Sequence, residues 1–187
     1  LSTEDAHGRN VAVGYAALET LNAGDDAYNT AVGFQAGVAV TTGIRNTILG
    51  GLAGDAITTG AYNVALGYNS LSSEDTTGRN VAIGYNALAN QNAASDAYNV
   101  AIGYNAGITV TTAIQNTLIG GLAGDALTTG SRNVAIGTSA LSTEDAHGRN
   151  TAIGYGTLNA LDAGADAYNV AVGYSAGSTI TTGVENT

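Results

Sequence analysis

Residues 80–88 read Asn-Val-Ala-Ile-Gly-Tyr-Asn-Ala-Leu, and variants of this block return along the whole chain. Asn-x-x-x-Gly begins at Asn10, Asn29, Asn46, Asn63, Asn80, Asn99, Asn116, Asn133, Asn150 and Asn169, and an eleventh block opens at Asn186. Successive asparagines are spaced 19, 17, 17 and 17 apart, and then the cycle repeats. A short unit is therefore nested in a super-unit of four, and residues 10–79 match residues 80–149 at 43 of 70 positions. Leu1–Asn10 and Leu141–Asn150 are the same ten letters. A fixed short period is the signature of a repeat architecture, in which each unit buries its apolar side only by stacking on its neighbours.

Within the unit, with the asparagine as position 0, position +1 is Val or Thr (Val11, Thr30, Thr47, Val64, Val81). Position +3 is aliphatic from Val13 to Val172, and position +4 is Gly from Gly14 to Gly173. β-Branched residues two apart lie on one face of an extended segment, and a run this short shows no helical period. The second half of the unit runs Tyr-x-Ala-Leu or Tyr-x-Ala-Gly and ends in turn letters such as Thr58-Thr59-Gly60. The expectation is an all-β fold, a β-solenoid (parallel β-roll) of 17–19-residue coils with two short strands and two turns each. Residues 1–187 then form a single repeat array with super-units 10–79 and 80–149 and a partial one at 150–187. Neither end reads as a cap, so the expectation is a piece of a longer fibre.

Alternation sharpens this picture at position +2, which faces away from +1 and +3. If +1 and +3 point inward, +2 of a lone solenoid should be polar. It is instead Ala12, Ala31, Ala82, Ala101 and Ala152, with Ile48 and Leu118 in the third unit of each super-unit. Two-sided apolar character implies that something covers the second face. This predicts an inter-chain seam along Ala12, Ala31, Ile48, Ala82, Ala101, Leu118 and Ala152, in a parallel homotrimer.

Composition excludes several classes. The chain has no Cys, Pro, Met or Trp and no Lys, and five Arg face fifteen acidic residues for a net charge of -10. Such a chain lacks the clustered cations that nucleic acid requires. No apolar run approaches a membrane span. Disorder is disfavoured, since only 11% of residues are charged and 44% are hydrophobic. Catalysis has little raw material, because His7 and His147 stand eight coils apart and no thiol or amine nucleophile is present. No enzyme activity and no cofactor are expected.

The block at Asn80–Leu88, with Asn99–Gly107 and Asn150–Leu158, resembles two kinds of surface fibre. One is the repetitive shaft of bacteriophage tail fibres, where Asn-Thr-Ala-Ile-Gly-Tyr-Asn-Ala-Leu recurs at much the same interval. The other is the head repeat of YadA-like trimeric autotransporter adhesins, which reads Asn-Ser-Val-Ala-Ile-Gly. The first is closer in spacing and covers essentially the whole chain. It implies a trimeric β-solenoid that serves as a spacer or binding surface, located outside the cell, on the cell surface or on a virion. The chain departs from the pattern in the two extra residues of each first unit, and in Gly51 and Gly121 where Tyr15 and Tyr85 stand elsewhere.

Four features remain as candidate sites. The Asn column can form an amide ladder along the axis, a structural role. The column Tyr15, Phe34, Tyr68, Tyr85, Tyr104, Tyr155 and Tyr174 can pack between coils or offer a carbohydrate-binding face. Asp25, Asp26, Asp96 and Asp166 are weak calcium candidates in the longer unit; solvated turns are the simpler reading. Threonine pairs such as Thr41-Thr42 and Thr128-Thr129 suit turns better than an ice-binding array. The leading expectation is a structural shaft that positions a receptor-binding tip, with itself as partner. A glycan-binding surface using the Tyr and Asn columns is the alternative, and an ice-binding solenoid is third.

Overall fold

A computed structural model describes residues 8–24 and 26–187. Ten three-residue strands follow one another in sequence: β1 Val11–Val13, β2 Thr30–Val32, β3 Thr47–Leu49, β4 Val64–Leu66, β5 Val81–Ile83, β6 Val100–Ile102, β7 Thr117–Ile119, β8 Val134–Ile136, β9 Thr151–Ile153 and β10 Val170–Val172. They form one parallel sheet in strictly sequential order. The register places equal positions of the repeat side by side, as in Val81↔Val100, Ala82↔Ala101 and Ile83↔Ile102. Each unit of the repeat therefore makes one coil of a β-solenoid. The two extra residues in each first unit leave the register intact.

One strand forms per coil, where the sequence suggested two. The Tyr-x-Ala-Leu half is a run of turns, built on left-handed backbone at position +6 and again at +8, as at Asn86 (φ 55°) and Leu88 (φ 49°). The residue before each Asn is left-handed as well, from Arg9 (φ 61°) to Glu185 (φ 57°). Three such bends per coil turn the chain back on itself within a single unit. The position +4 glycine is needed for a second reason. Gly84 has φ 132°, and a Cβ there would sit 2.4 Å from the carbonyl oxygen of Gly103 in the next coil. The glycines stack too closely for any side chain.

The interior corrects the sequence reading of the strand faces. Ala31, Ile48, Ala82, Ala101, Leu118 and Ala152 are fully buried within the coil, and Ala12 packs against the same core. The column assigned to an inter-chain seam is thus the inward one, and the β-branched residues at +1 and +3 point outward. The coil is too narrow to take two ranks of Val and Ile. It takes one rank of Ala from the strand, with larger side chains entering from position +8 (Leu18, Leu71, Leu88, Leu141, Leu158) and position +11 (Leu21, Val40, Ile57, Val110, Leu127, Leu161).

This geometry also explains the bulky residue in the third unit of each super-unit. Ile48 and Leu118 occur where position +8 is Gly in their own coil and in the coil before. A Cβ on Gly37 would lie 2.9 Å from Ile48 Cδ1, one on Gly107 2.7 Å from Leu118 Cδ1, and one on Gly124 2.8 Å from Leu118 Cδ2. Where +8 is Leu, as at Leu71 and Leu88, position +2 is Ala. The two sides of the interior trade volume, as close packing demands.

Candidate functional site

The Asn column runs the length of the interior and is fully committed to structure. Each asparagine Oδ1 accepts the backbone N–H of the next asparagine at 2.8–3.2 Å, from Asn10 to Asn186. Most Nδ2 groups donate to a carbonyl 14 residues on, near the end of the same coil, for example Asn46 to Gly60 at 2.9 Å and Asn116 to Gly130 at 2.9 Å. From Asn29 to Asn169 these residues are buried, so they cannot form the asparagine half of a glycan surface.

Two longitudinal stripes on the outside hold all ten tyrosines. The first is the position +5 column. Tyr15 stacks on Phe34 with centroids 5.4 Å apart, Tyr68 on Tyr85 at 5.6 Å, Tyr85 on Tyr104 at 5.5 Å and Tyr155 on Tyr174 at 5.3 Å, with planes within 9–14° of parallel. All seven rings are exposed. Beside the central stack, Asn69 donates to Asn86 at 3.0 Å and Asn86 to Asn105 at 3.2 Å, a second and surface amide ladder.

The second stripe, at position −1, was not singled out from the sequence. It contains every arginine of the chain (Arg9, Arg45, Arg79, Arg132, Arg149) and the other four tyrosines (Tyr28, Tyr62, Tyr98, Tyr168). Guanidinium groups lie over rings of neighbouring coils: Arg9 over Tyr28 at 5.5 Å, Arg45 over Tyr62 at 5.4 Å, Arg79 over Tyr62 at 5.0 Å and Arg149 over Tyr168 at 5.3 Å. The signal was present, since the residue before the asparagine is Arg or Tyr in nine of eleven units.

This stripe accounts for the aspartates considered as calcium ligands. Asp26 pairs with Arg9 at 3.1 Å, Asp96 with Arg79 at 2.5 Å and Asp166 with Arg149 at 2.7 Å. Asp25 lies outside the described residues. Each of the three carries an arginine and stands a whole super-unit from the next, so they do not converge on one cation. The Arg149 hydrogen bond holds the Asp166 carboxyl below its ordinary value. Exposed pairs of this kind stabilise the fold little.

Among the described residues, two glutamates are fully buried in the interior. Position +11 is apolar in most coils, but it is Glu74 and Glu144 in the fourth unit of each super-unit, and both are fully buried. Burial pushes both carboxyls above the ordinary range, against the pull of their hydrogen bonds. Glu74 Oε1 accepts from the Thr77 hydroxyl at 2.5 Å, and Oε2 accepts from Asn80 Nδ2 at 3.3 Å. Glu144 Oε1 accepts the His147 N–H at 3.0 Å with His147 Nδ1 at 3.3 Å, and Oε2 accepts the Ala163 N–H at 3.3 Å. Glu144, Asp145, His147 and Asp162 bring their ligand atoms within 4.8 Å of one another. Both Glu144 oxygens are already taken by backbone N–H groups. His7 lies outside the described residues.

The threonine pairs are likewise used between coils. Thr41 Oγ1 donates to the Thr58 carbonyl at 3.2 Å, Thr58 to Asp75 at 2.8 Å and Thr128 to Asp145 at 2.9 Å. No described helix is long and apolar enough to cross a membrane. Comparison with known proteins found no matching family model, no curated relative and no solved structure.

Proposed function

We propose that this chain is a structural segment of an extracellular or virion fibre, a stiff spacer assembled as a parallel homotrimer. The observation that carries the reading is the outward face of the ten-stranded sheet. Val11, Val13, Leu49, Leu66, Val170 and Val172 are exposed and the +1 and +3 residues of β5 to β9 are half-buried, in two in-register ranks that run the length of the sheet. With strands about 4.8 Å apart and about 3.3 Å per residue, this three-residue face measures roughly 45 Å by 10 Å, and the tyrosine column lies beside it. That is about 450 Å², the size of the largest apolar patches on monomers, which often mark an interaction surface.

The seam proposed here is therefore the +1/+3 face, with the +2 column as the private core of each chain. The in-register ladder of hydrogen bonds supplies stiffness along the axis, and a second and third chain would supply it laterally. Polar substitutions separate the two roles. Ile102→Glu with Ile136→Glu should split the assembly into folded solenoids, whereas Ala101→Glu should unfold the coil by placing a carboxylate in the core. If the outward pair left the assembly mass unchanged, the seam would lie elsewhere.

A further inference from the structure

The position +5 aromatic column is interrupted once by a single residue, at Gly51 between Phe34 and Tyr68. Its neighbours on both sides project exposed rings, Phe34 at 54% and Tyr68 at 50% of full exposure. A Cβ built on Gly51 would meet only the Tyr68 ring, at 3.6 and 3.9 Å, so the side toward Phe34 is open. At the 5.3–5.6 Å per coil of the stacked rings, two coil steps put the flanking ring centroids about 11 Å apart. The Tyr15–Phe34 and Tyr68–Tyr85 stacks hold both walls from behind. The result is a slot one ring wide, with an aromatic face on each side.

We propose that this slot binds one pyranose residue of a glycan, sandwiched between Phe34 and Tyr68. Carbon atoms in van der Waals contact sit about 3.5–4.0 Å apart, so a flat arene touching both walls fills only about 7–8 Å. A chair-form sugar is thicker, because its axial C–H bonds project from both faces, and it fills the remaining width. Those C–H bonds carry slight positive charge and face the negative π-clouds of the two rings. The mouth is polar. At position +6 the flanking side chains are Gln35 and Asn69, and Asn69 spends its Nδ2 on Asn86, which leaves Oδ1 as an acceptor. Among the described residues the Gln35 side chain makes no hydrogen bond. Ring hydroxyls at the sugar's equator would meet these amides.

The double-sided contact sets the specificity. A β-glucopyranose has every ring substituent equatorial and offers an apolar C–H face to each wall. A galactopyranose turns its axial 4-hydroxyl into one ring and loses that contact. The wide gap at Gly121 and Thr138 has no such second wall within reach, since two successive coils there lack a ring. The site is complete within one chain and does not depend on the trimer.

Saturation-transfer NMR on the 187-residue chain, with methyl β-glucopyranoside as probe, tests the assignment. Transfer to H1, H3 and H5 on one sugar face and to H2 and H4 on the other is expected, with at least a fivefold weaker response from methyl β-galactopyranoside. Gly51→Tyr restores the residue that neighbouring coils carry and fills the slot, and Phe34→Ala removes a wall at an exposed position. Each should reduce the signal at least tenfold while leaving the circular dichroism unchanged. No transfer, transfer to one face alone, an equal galactoside response, or full binding by Gly51→Tyr would each overturn the proposal. None of these results bears on assembly mass, so the shaft reading stands or falls separately.

Discussion

At the scale of single residues, one asparagine side chain satisfies two backbone groups per coil. Removing the Asn116 side chain strands the Asn133 N–H and the Gly130 carbonyl, both of which it satisfies inside the coil. Buried groups left unpaired cost about 1–3 kcal/mol each, so Asn116→Ala should lose roughly 2–6 kcal/mol in urea unfolding. Asn116→Asp keeps the acceptor and should lose less. The same scale holds a pH effect. Glu74 and Glu144 have folded-state values raised above their ordinary 4.5, chiefly by burial. The native state thus holds protons that the unfolded state has already released. The stability these two groups contribute should be full below about pH 4.5, fall as pH rises through the raised values, and then level off. Glu74→Gln, which copies the residue at the equivalent Gln91, should reduce that slope when melting is followed from pH 4 to pH 8, and adding Glu144→Gln should reduce it further.

The element scale shows what the sequence could and could not decide. Asparagine spacing set the coil length, and Gly at +4 marked where each strand ends. The facing of the strand was inverted. A three-residue strand that is apolar on both faces contains no polarity signal to orient it, so alternation alone cannot tell inside from outside. Size could have told them apart, because Ala fits a narrow coil and β-branched pairs do not. The trade between Ile48 and the glycines at 37 and 54 was also latent, but it needs the three-dimensional neighbour. Ile48→Ala should cost about 2–4 kcal/mol through the cavity it leaves. Gly37→Ala alone forces a methyl group to within 2.9 Å of Ile48 Cδ1 and 3.1 Å of Leu18 Cδ2. The double substitution should therefore cost less than the sum of the two, by about 1 kcal/mol, when the cycle is measured by denaturant titration. Additive values would mean that the two sites do not share the space.

For the whole molecule, each coil leans on the next and the array has no separate core to fail first. Every arginine and tyrosine lies in one of two surface stripes, and the periodicity carries any single preference along the full length. The Arg/Tyr stripe escaped the sequence reading because it occupies the residue before the motif that begins at Asn. The Gly51 slot escaped it because a missing ring reads in one dimension as a departure and becomes a space only when its neighbours stack. The solenoid presents its +1/+3 face outward, and the proposed trimer would close over it. Sedimentation equilibrium of the 187-residue chain tests this most directly. A single species of three times the 18.5 kDa chain mass is expected. A folded species that remained at 18.5 kDa across the concentration range would contradict it.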